Sequence, residues 1–451
     1  MLVETISTED LGDRSYVVHD GDRAVVVDPQ RDIDRVEAVL DAHGLTLALV
    51  CETHVHNDYV TGGLGLARRH DVPYLVNAAD PVDFAREPVR DGDEVALAGL
   101  TVRAVATPGH TPTHLSYVVD DGSGPPAVFS GGSLLYGAVG RTDLVEPDRA
   151  EAHARAQYRS ARRLADALPD AAALYPTHGF GSFCSAGGSS GSSGAARGTI
   201  GDERVTNDAL REPDERAFAA RMVDGLTAFP AYYAHMAPAN LAGPDPVDLS
   251  PLSDLGPDEL GKRVAAGEWV VDLRERDTHA REHLAGSIGI ALAPPFSTWL
   301  GWLIPWGTPV ALIGEDEDQV AEAQRRLGRI GIDRPVGRAV GPIARVAGDQ
   351  PTRGHPTATF DDLGRAGDPT VLDVRRADEF RAGHVVGALN LPLPELERRA
   401  GELPAVRLWV HCQSGYRASI AASLLARAGH DVVLVAEDFS RAADLGLTTA
   451  S

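Results

Sequence analysis

The chain has 451 residues, a formal charge of −23 and only three cysteines, Cys51, Cys184 and Cys412. That acidity repels nucleic acid and anionic membrane surfaces, and three widely spaced cysteines make no disulfide framework and fit a reducing cytosol. The N-terminus lacks a basic flank and apolar run, and no stretch of about eighteen apolar residues occurs, so the expectation is a soluble cytoplasmic chain of about three domains.

In chain order, Ser15–His19, Ala24–Asp28 and Leu45–Cys51 read as buried strands, with helices at Ile33–His43 and Gly62–His70. Leu100–Ala106, Leu115–Val119 and Ala127–Ser130 return to strands, which predicts stacked α and β layers. Strand ends are followed by histidine motifs. Thr53-His54-x-His56-x-Asp58 sets three donors within five residues, and Thr107-Pro108-Gly109-His110 and Tyr175-Pro176-Thr177-His178 each place a histidine on a turn. Nitrogen-rich sets of this kind suit Zn or Fe rather than Ca or Mg, which prefer oxygen.

These motifs, in this order and approximate spacing, resemble the metallo-β-lactamase superfamily over roughly residues 1–240. The resemblance implies an αββα sandwich with a metal at one edge of its two sheets. Phe129-Ser-Gly-Gly-Ser-Leu, followed by Gly140-Arg141-Thr142-Asp143, is most similar to the glyoxalase II-like branch that contains persulfide dioxygenases. In those enzymes Fe(II) is held by two histidines and an aspartate, at positions matching His54, His110 and Gly132. Glycine offers no donor atom, so the two-histidine-one-carboxylate triad cannot be built from these positions. Tyr59 stands where dinuclear hydrolases of the superfamily place a histidine for a second metal. The expectation is therefore at most one tightly bound divalent ion, Fe(II) or Zn, held by His54, His56 and His110 with water. Asp58 and His178 are further candidate ligands, whereas His114 and Asp143 are read as hydrogen-bonding neighbours of ligands.

Past His178, Gly179–Gly198 is rich in Gly and Ser; it is read either as a cover over the site or as a surface insertion. Asp202–Met236 reads as helical, and the turn-rich Ala237–Pro246 as a boundary. Beyond it the chain repeats: Val270–Gly286 aligns without a gap with Val371–Gly387, sharing Val, Asp, Arg, Asp, His and Gly. Strands alternating with helices predict parallel sheets covered on both faces. Both copies resemble rhodanese domains, with Asp373-Val-Arg375 and Gly383-His384-Val-Val-Gly387-Ala388 as signatures. The domains expected are 1–242, 243–349 and 350–451.

Only the second copy has the chemistry. Cys412-Gln413-Ser414-Gly415-Tyr416-Arg417 runs from a strand into a helix, so backbone N–H groups, the helix N-terminus and Arg417 favour a thiolate. Cys412 and Arg417 are the expected catalytic residues, with Gln413, Ser414, Gly415 and Tyr416 as the substrate cradle. In the first copy Gly314 replaces the cysteine and Glu315–Asp318 crowd the loop with acids, which predicts an inactive spacer or dock. The combined expectation is oxidation of a low-molecular-weight persulfide coupled to sulfur transfer. Its substrates would be small thiols, persulfides or thiosulfate, with a homo-oligomer allowed. The alternatives are a Zn-dependent thioester-type hydrolase, or a degenerate metal domain serving as scaffold for a thiosulfate sulfurtransferase.

Overall fold

A computed structural model describes residues 1–97, 99–186 and 197–449. Their contacts divide into two units, Met1–Asp248 with Leu327–Gly331, and Leu249–Arg326 with Ile332–Ser451.

In the first unit, β-branched runs, several of them buried on both faces, pair into two six-stranded sheets. One sheet takes its strands in chain order: Leu2–Thr8, Asp13–His19, Arg23–Val27, Thr46–Cys51, Tyr74–Asn77 and Glu87–Val89. The other runs Gly198–Thr199, Ala173–Pro176, Ala127–Gly131, Leu115–Asp120, Leu100–Ala106, Glu94–Leu97. Successive side chains on a strand point to opposite faces. Val25, Val27, Leu49 and Cys51 therefore meet Val102, Ala104, Tyr117 and Phe129 between the sheets. Val17, Ala24, Val26 and Val50 turn the other way, onto Val36 and Leu40 of helix Asp34–His43 and Leu64 and Leu66 of helix Gly63–His70. On the far side, Val118, Val128 and Leu174 pack with helices Ala150–Ala167 and Glu215–Asp224. The result is the αββα sandwich.

One long helix over Asp202–Met236 is not formed. The chain makes four shorter ones instead: Ile200–Thr206, Asp208–Arg211, Glu215–Asp224 and Tyr233–Ala242. Local hydrogen bonding explains the breaks. The Asn207 side chain accepts from Ala209 N, and Asp214, behind Pro213, accepts from Arg216 and Ala217 N, so each starts a helix anew. Residues 187–196 of the Gly/Ser run, read either as a cover over the site or as a surface insertion, lie outside the described residues.

The second unit holds two parallel sheets. Ile288–Gly289, Trp269–Asp272, Val310–Gly314 and Gly337–Val340 form one. Thr357–Ala358, Val432–Val435, Leu408–His411, Thr370–Asp373 and Leu389–Asn390 form the other. The repeat is visible in its buried ion pairs: Arg274 grips Asp272 and Arg375 grips Asp373, at 2.6 and 2.7 Å. The fold class is thus α/β, an αββα sandwich followed by parallel-sheet α/β regions. Among the described residues no helix is long and apolar enough to cross a membrane.

Candidate functional site

Four buried histidines converge at one end of the two sheets. His54 and His56 follow strand Thr46–Cys51, His110 follows Leu100–Ala106, and His178 follows Ala173–Pro176. In each ring one nitrogen is engaged on the outside. His54 Nδ1 meets Thr53 Oγ1 at 2.8 Å, His110 Nδ1 meets the Arg141 carbonyl at 2.7 Å, and His178 Nδ1 meets Asp13 Oδ1 at 2.8 Å. His56 uses Nε2, 2.9 Å from Tyr59 OH and 3.1 Å from Glu52 Oε1. The other nitrogens turn inward, those of His54 and His178 onto each other and those of His56 and His110 onto no partner. His56 Nδ1 and His110 Nε2 are buried without any hydrogen-bond partner, and the Nε2 atoms of His54 and His178 face each other at 3.3 Å.

Outer partners fixing the imidazoles, with the inner nitrogens of His56 and His110 bare, match the usual arrangement around a metal ion. Two nitrogens on one tetrahedral ion at about 2.0–2.1 Å would stand about 3.3 Å apart, the separation of His54 and His178. One nitrogen each from His54, His56 and His178 lies within 4.8 Å of the others, and His110, His178 and Cys184 form a second such group. Each group by itself offers three donors of the kind a borderline divalent ion takes.

The surrounding charges split the four rings into two neutral donors and two that a metal ion would have to deprotonate. Burial, reinforced by the neighbouring imidazoles, pushes His54 well below its ordinary value and His110 down to about 3, so both are neutral donors. Burial also opposes charge on His56 and His178, but carboxylates outweigh it. Asp28 and Glu52 raise His56 to about 9, and Asp58 and Asp13 raise His178 to about 10. Asp58 lies 3.2 Å from His178 Nδ1 and 4.0 Å from His56 Nδ1, and so belongs to the cluster.

Three features of this site escape motif reading. Asp28, at a positive φ of 51° after strand Arg23–Val27, accepts from Thr53 N, Thr53 Oγ1 and Thr177 Oγ1, tying two ligand loops together. Asp13 orients His178, and Cys184 enters from the Gly/Ser-rich segment. Nothing in their spacing marks them, because they meet only through the fold. His114 is engaged at both nitrogens, by Thr107 Oγ1 and Gly132 N. Asp143 binds Arg141 through two 2.7 Å hydrogen bonds, so its link to His110 runs through that arginine's backbone.

The second centre is the loop after strand Leu408–His411. Gly415, at φ +87°, turns its N–H onto Cys412 Sγ at 3.2 Å. A left-handed turn there suits glycine, which has no Cβ to clash. Gln413 O accepts from Phe439 N and Ser414 O from Arg276, so both carbonyls point away from the sulfur. Tyr416 opens helix Tyr416–Arg427 and gives its hydroxyl to Ala291 O, leaving its backbone as the part available to the loop. Arg417 is held by Glu379 through two 2.7 Å bonds, a partner that sequence reading did not single out. In the first repeat a β-carbon on Gly314 would lie 2.7 Å from Val320 Cγ2 and 3.2 Å from Asp316 O, so its loop has closed over the corresponding place.

Comparisons with known proteins agree with these two centres. The family model described as Metallo-beta-lactamase superfamily matches residues 10–178, and the Rhodanese-like domain model matches residues 357–443. A hydroxyacylglutathione hydrolase of Synechococcus sp. (strain WH7803) is 30% identical over 211 residues, 45% of this chain and 71% of that protein. Another, from Cupriavidus taiwanensis, is 36% identical over 135 residues, 28% of this chain and 50% of that protein. The chain spans about half the length of several of the curated relatives it matches. A crystal structure of a metallo-beta-lactamase from Staphylococcus aureus subsp. aureus COL superposes with a TM-score of 0.68 at 26% identity, covering 76% of this chain and 99% of that one.

Proposed function

Because the chain belongs to the metallo-beta-lactamase superfamily and carries a rhodanese-like domain behind that fold, we propose that it processes sulfane sulfur at two centres. Cys412 transfers the sulfur, and a metal-dependent site in the first unit oxidises a low-molecular-weight persulfide. The observation behind this reading is the Cys412 loop, with the Gly415 N–H on the sulfur and Arg417 oriented by Glu379. The Cys412 thiolate attacks the outer sulfur of thiosulfate. The S–S bond of thiosulfate breaks, sulfite leaves with the electron pair, and a cysteine persulfide remains. A small thiolate then takes the outer sulfur and restores the Cys412 thiolate. Arg417 balances the anionic charge that passes through the loop.

In the first unit, His54, His56 and His178 would hold the ion, with His110 and Asp58 beside it. The ion, Fe(II) or Zn, would supply Lewis acidity toward a substrate oxygen or sulfur, and iron would add redox capacity. The protein's own part is to keep the ligand rings in place, through Thr53, Arg141, Asp13 and Tyr59, and to exclude water around them.

A second reading of the first unit is hydrolysis of a glutathione thioester-type substrate. It is favoured by the nitrogen-dominated donor set and by relatives named hydroxyacylglutathione hydrolases. One pair of assays on the full chain separates the two. Oxygen uptake on adding glutathione persulfide supports oxidation. Thiol release from an S-hydroxyacylglutathione without oxygen uptake supports hydrolysis. If neither occurs and no metal is retained, the first unit is a scaffold for the sulfurtransferase.

A further inference from the structure

Three more histidines, His279, His283 and His355, meet within the second unit, and the internal repeat shows what is unusual about them. His283 and His384 occupy corresponding places. Each makes the same bond, from Nδ1 to the carbonyl four residues earlier: His283 to His279 O at 2.7 Å, His384 to Phe380 O at 2.9 Å. Each also stacks on the side chain of that earlier residue. His384 lies on Phe380 at 3.8 Å and 13°, and His283 on His279 at 4.0 Å and 6°. A phenyl ring is therefore sufficient for the packing. The first repeat has an imidazole there, and its Nε2 is buried with no hydrogen-bond partner. An unsatisfied buried polar atom costs about 1–3 kcal/mol, so packing alone does not account for it.

His355 is brought to this stack by backbone geometry. Thr352 and Arg353 pair antiparallel with Leu284 and His283, and His355 N donates to Ala280 O at 2.8 Å. Between them Gly354 passes so close to the Arg281 carbonyl that a β-carbon would lie 2.5 Å from its oxygen. The His355 ring ends 4.6 Å from His283 and 5.9 Å from His279, and its Nε2 too is buried and unpartnered. Gly289 makes room for the third member, since a β-carbon there would stand 2.7 Å from His279 Nδ1. The Nδ1–H of His283 is used on a carbonyl, so its Nε2 presents a bare lone pair. One nitrogen from each of the three rings lies within 4.8 Å of the others. The nearby Arg274 is neutralised by Asp272 at 2.6 Å.

We propose that His279, His283 and His355 form a second metal site, which takes one borderline divalent ion of the zinc class through three imidazole nitrogens and leaves a fourth position to water. Such a set suits zinc or cobalt better than calcium or magnesium, which want oxygen. The ion would cross-link the first repeat to the segment leading into the second, so its binding energy would add to folding stability. This site is independent of the one built on His54.

The test is a Co(II) titration of full-length, chelator-stripped protein, followed by visible absorption and by metal counting after gel filtration. His279→Phe copies the ring pair of the second repeat, and His355→Gln removes a second ligand without touching that stack. Each is expected to bind one ion fewer per chain than the wild type, to lose the corresponding cobalt band, and to keep sulfur transfer at Cys412. A wild-type ion count in both variants overturns the site. So does a wild-type count of one ion that His54→Ala alone removes.

Discussion

The ring of His110 fills the space beside Gly132: a β-carbon at Gly132 would lie 2.2 Å from His110 Cδ2 and 2.6 Å from Cγ. Gly140 closes the other face, where a β-carbon would lie 2.7 Å from His110 Nδ1. With the Arg141 carbonyl on Nδ1, the imidazole is fixed in a slot that a side chain at 132 would have to share. A side chain at 132 and the present position of the His110 ring therefore exclude each other. Gly132→Asp is expected to displace His110, to destabilise metal-free protein by about 1–3 kcal/mol as overpacking does, and to confer no new oxygen uptake with glutathione persulfide. Thermal unfolding and an oxygen electrode read both. An unchanged melt with a gain of oxygen uptake would show that the ring yields freely.

Cys412→Ser is expected to abolish sulfur transfer from thiosulfate to cyanide or a small thiol while leaving the circular dichroism spectrum intact. Cys51 is buried between the sheets of the first unit and Cys184 beside Tyr233, so neither is placed to substitute. Residual turnover above the uncatalysed rate would remove Cys412 from its role.

Glu379 is a positioning residue for Arg417. The pair is largely shielded, with side-chain exposures of 20% and 13%, and its two hydrogen bonds set the plane of the guanidinium. Glu379→Gln is expected to lower kcat/KM for thiosulfate by about tenfold, in keeping with charged hydrogen bonds worth about 1.5–3 kcal/mol. An unchanged or higher value would mean that the glutamate only screens the arginine. The pH dependence has a definite sign. Burial raises Glu379, but the Arg417 bonds outweigh it and hold the carboxyl below its ordinary 4.5. Its stabilising contribution is thus present above pH 4.5 and fades as pH falls below that value. Urea midpoints should fall more steeply below pH 4.5 in the wild type than in Glu379→Gln, and run parallel above it.

Much of this was legible in the sequence where chemistry is local. The continuously buried valine runs, the closely spaced His54, His56 and Asp58, and the Cys412–Arg417 loop all encode their role within a few residues. What was not legible depends on distance along the chain. Asp28 reaches Thr177 and Asp13 reaches His178, separations of 149 and 165 residues, through the pairing of strands that only the folded sheets define. Helix Ala150–Ala167 gives a weak signal because its buried face is mostly small or polar, with Tyr158 and Leu164 its large apolar members. The break-up of Asp202–Met236 turns on single residues inside the run: Asn207 and Asp214 cap new helices, and Gly225 and Pro230 fall between the last two.

The His54 cluster should behave as a metal site even before any substrate is known. His56 Nδ1 and His110 Nε2 are buried without partners, and Asp13 and Asp58 stand together beside His178. Burial and the Asp58 charge push Asp13 up to about 8, a mark of two carboxylates crowded into one place. A bound cation relieves both conditions, so Zn(II), or Fe(II) under anaerobic conditions, is expected to raise the thermal midpoint. The gain follows RT ln(1 + [L]/Kd), about 2.7 kcal/mol at a hundredfold excess over Kd. His54→Ala with His178→Ala should lose this gain, and the His279→Phe background keeps any second ion out of the measurement. A midpoint that ignores both metals in the His279→Phe protein would leave the cluster as a hydrogen-bonded core and hand the chemistry of the chain to Cys412 alone.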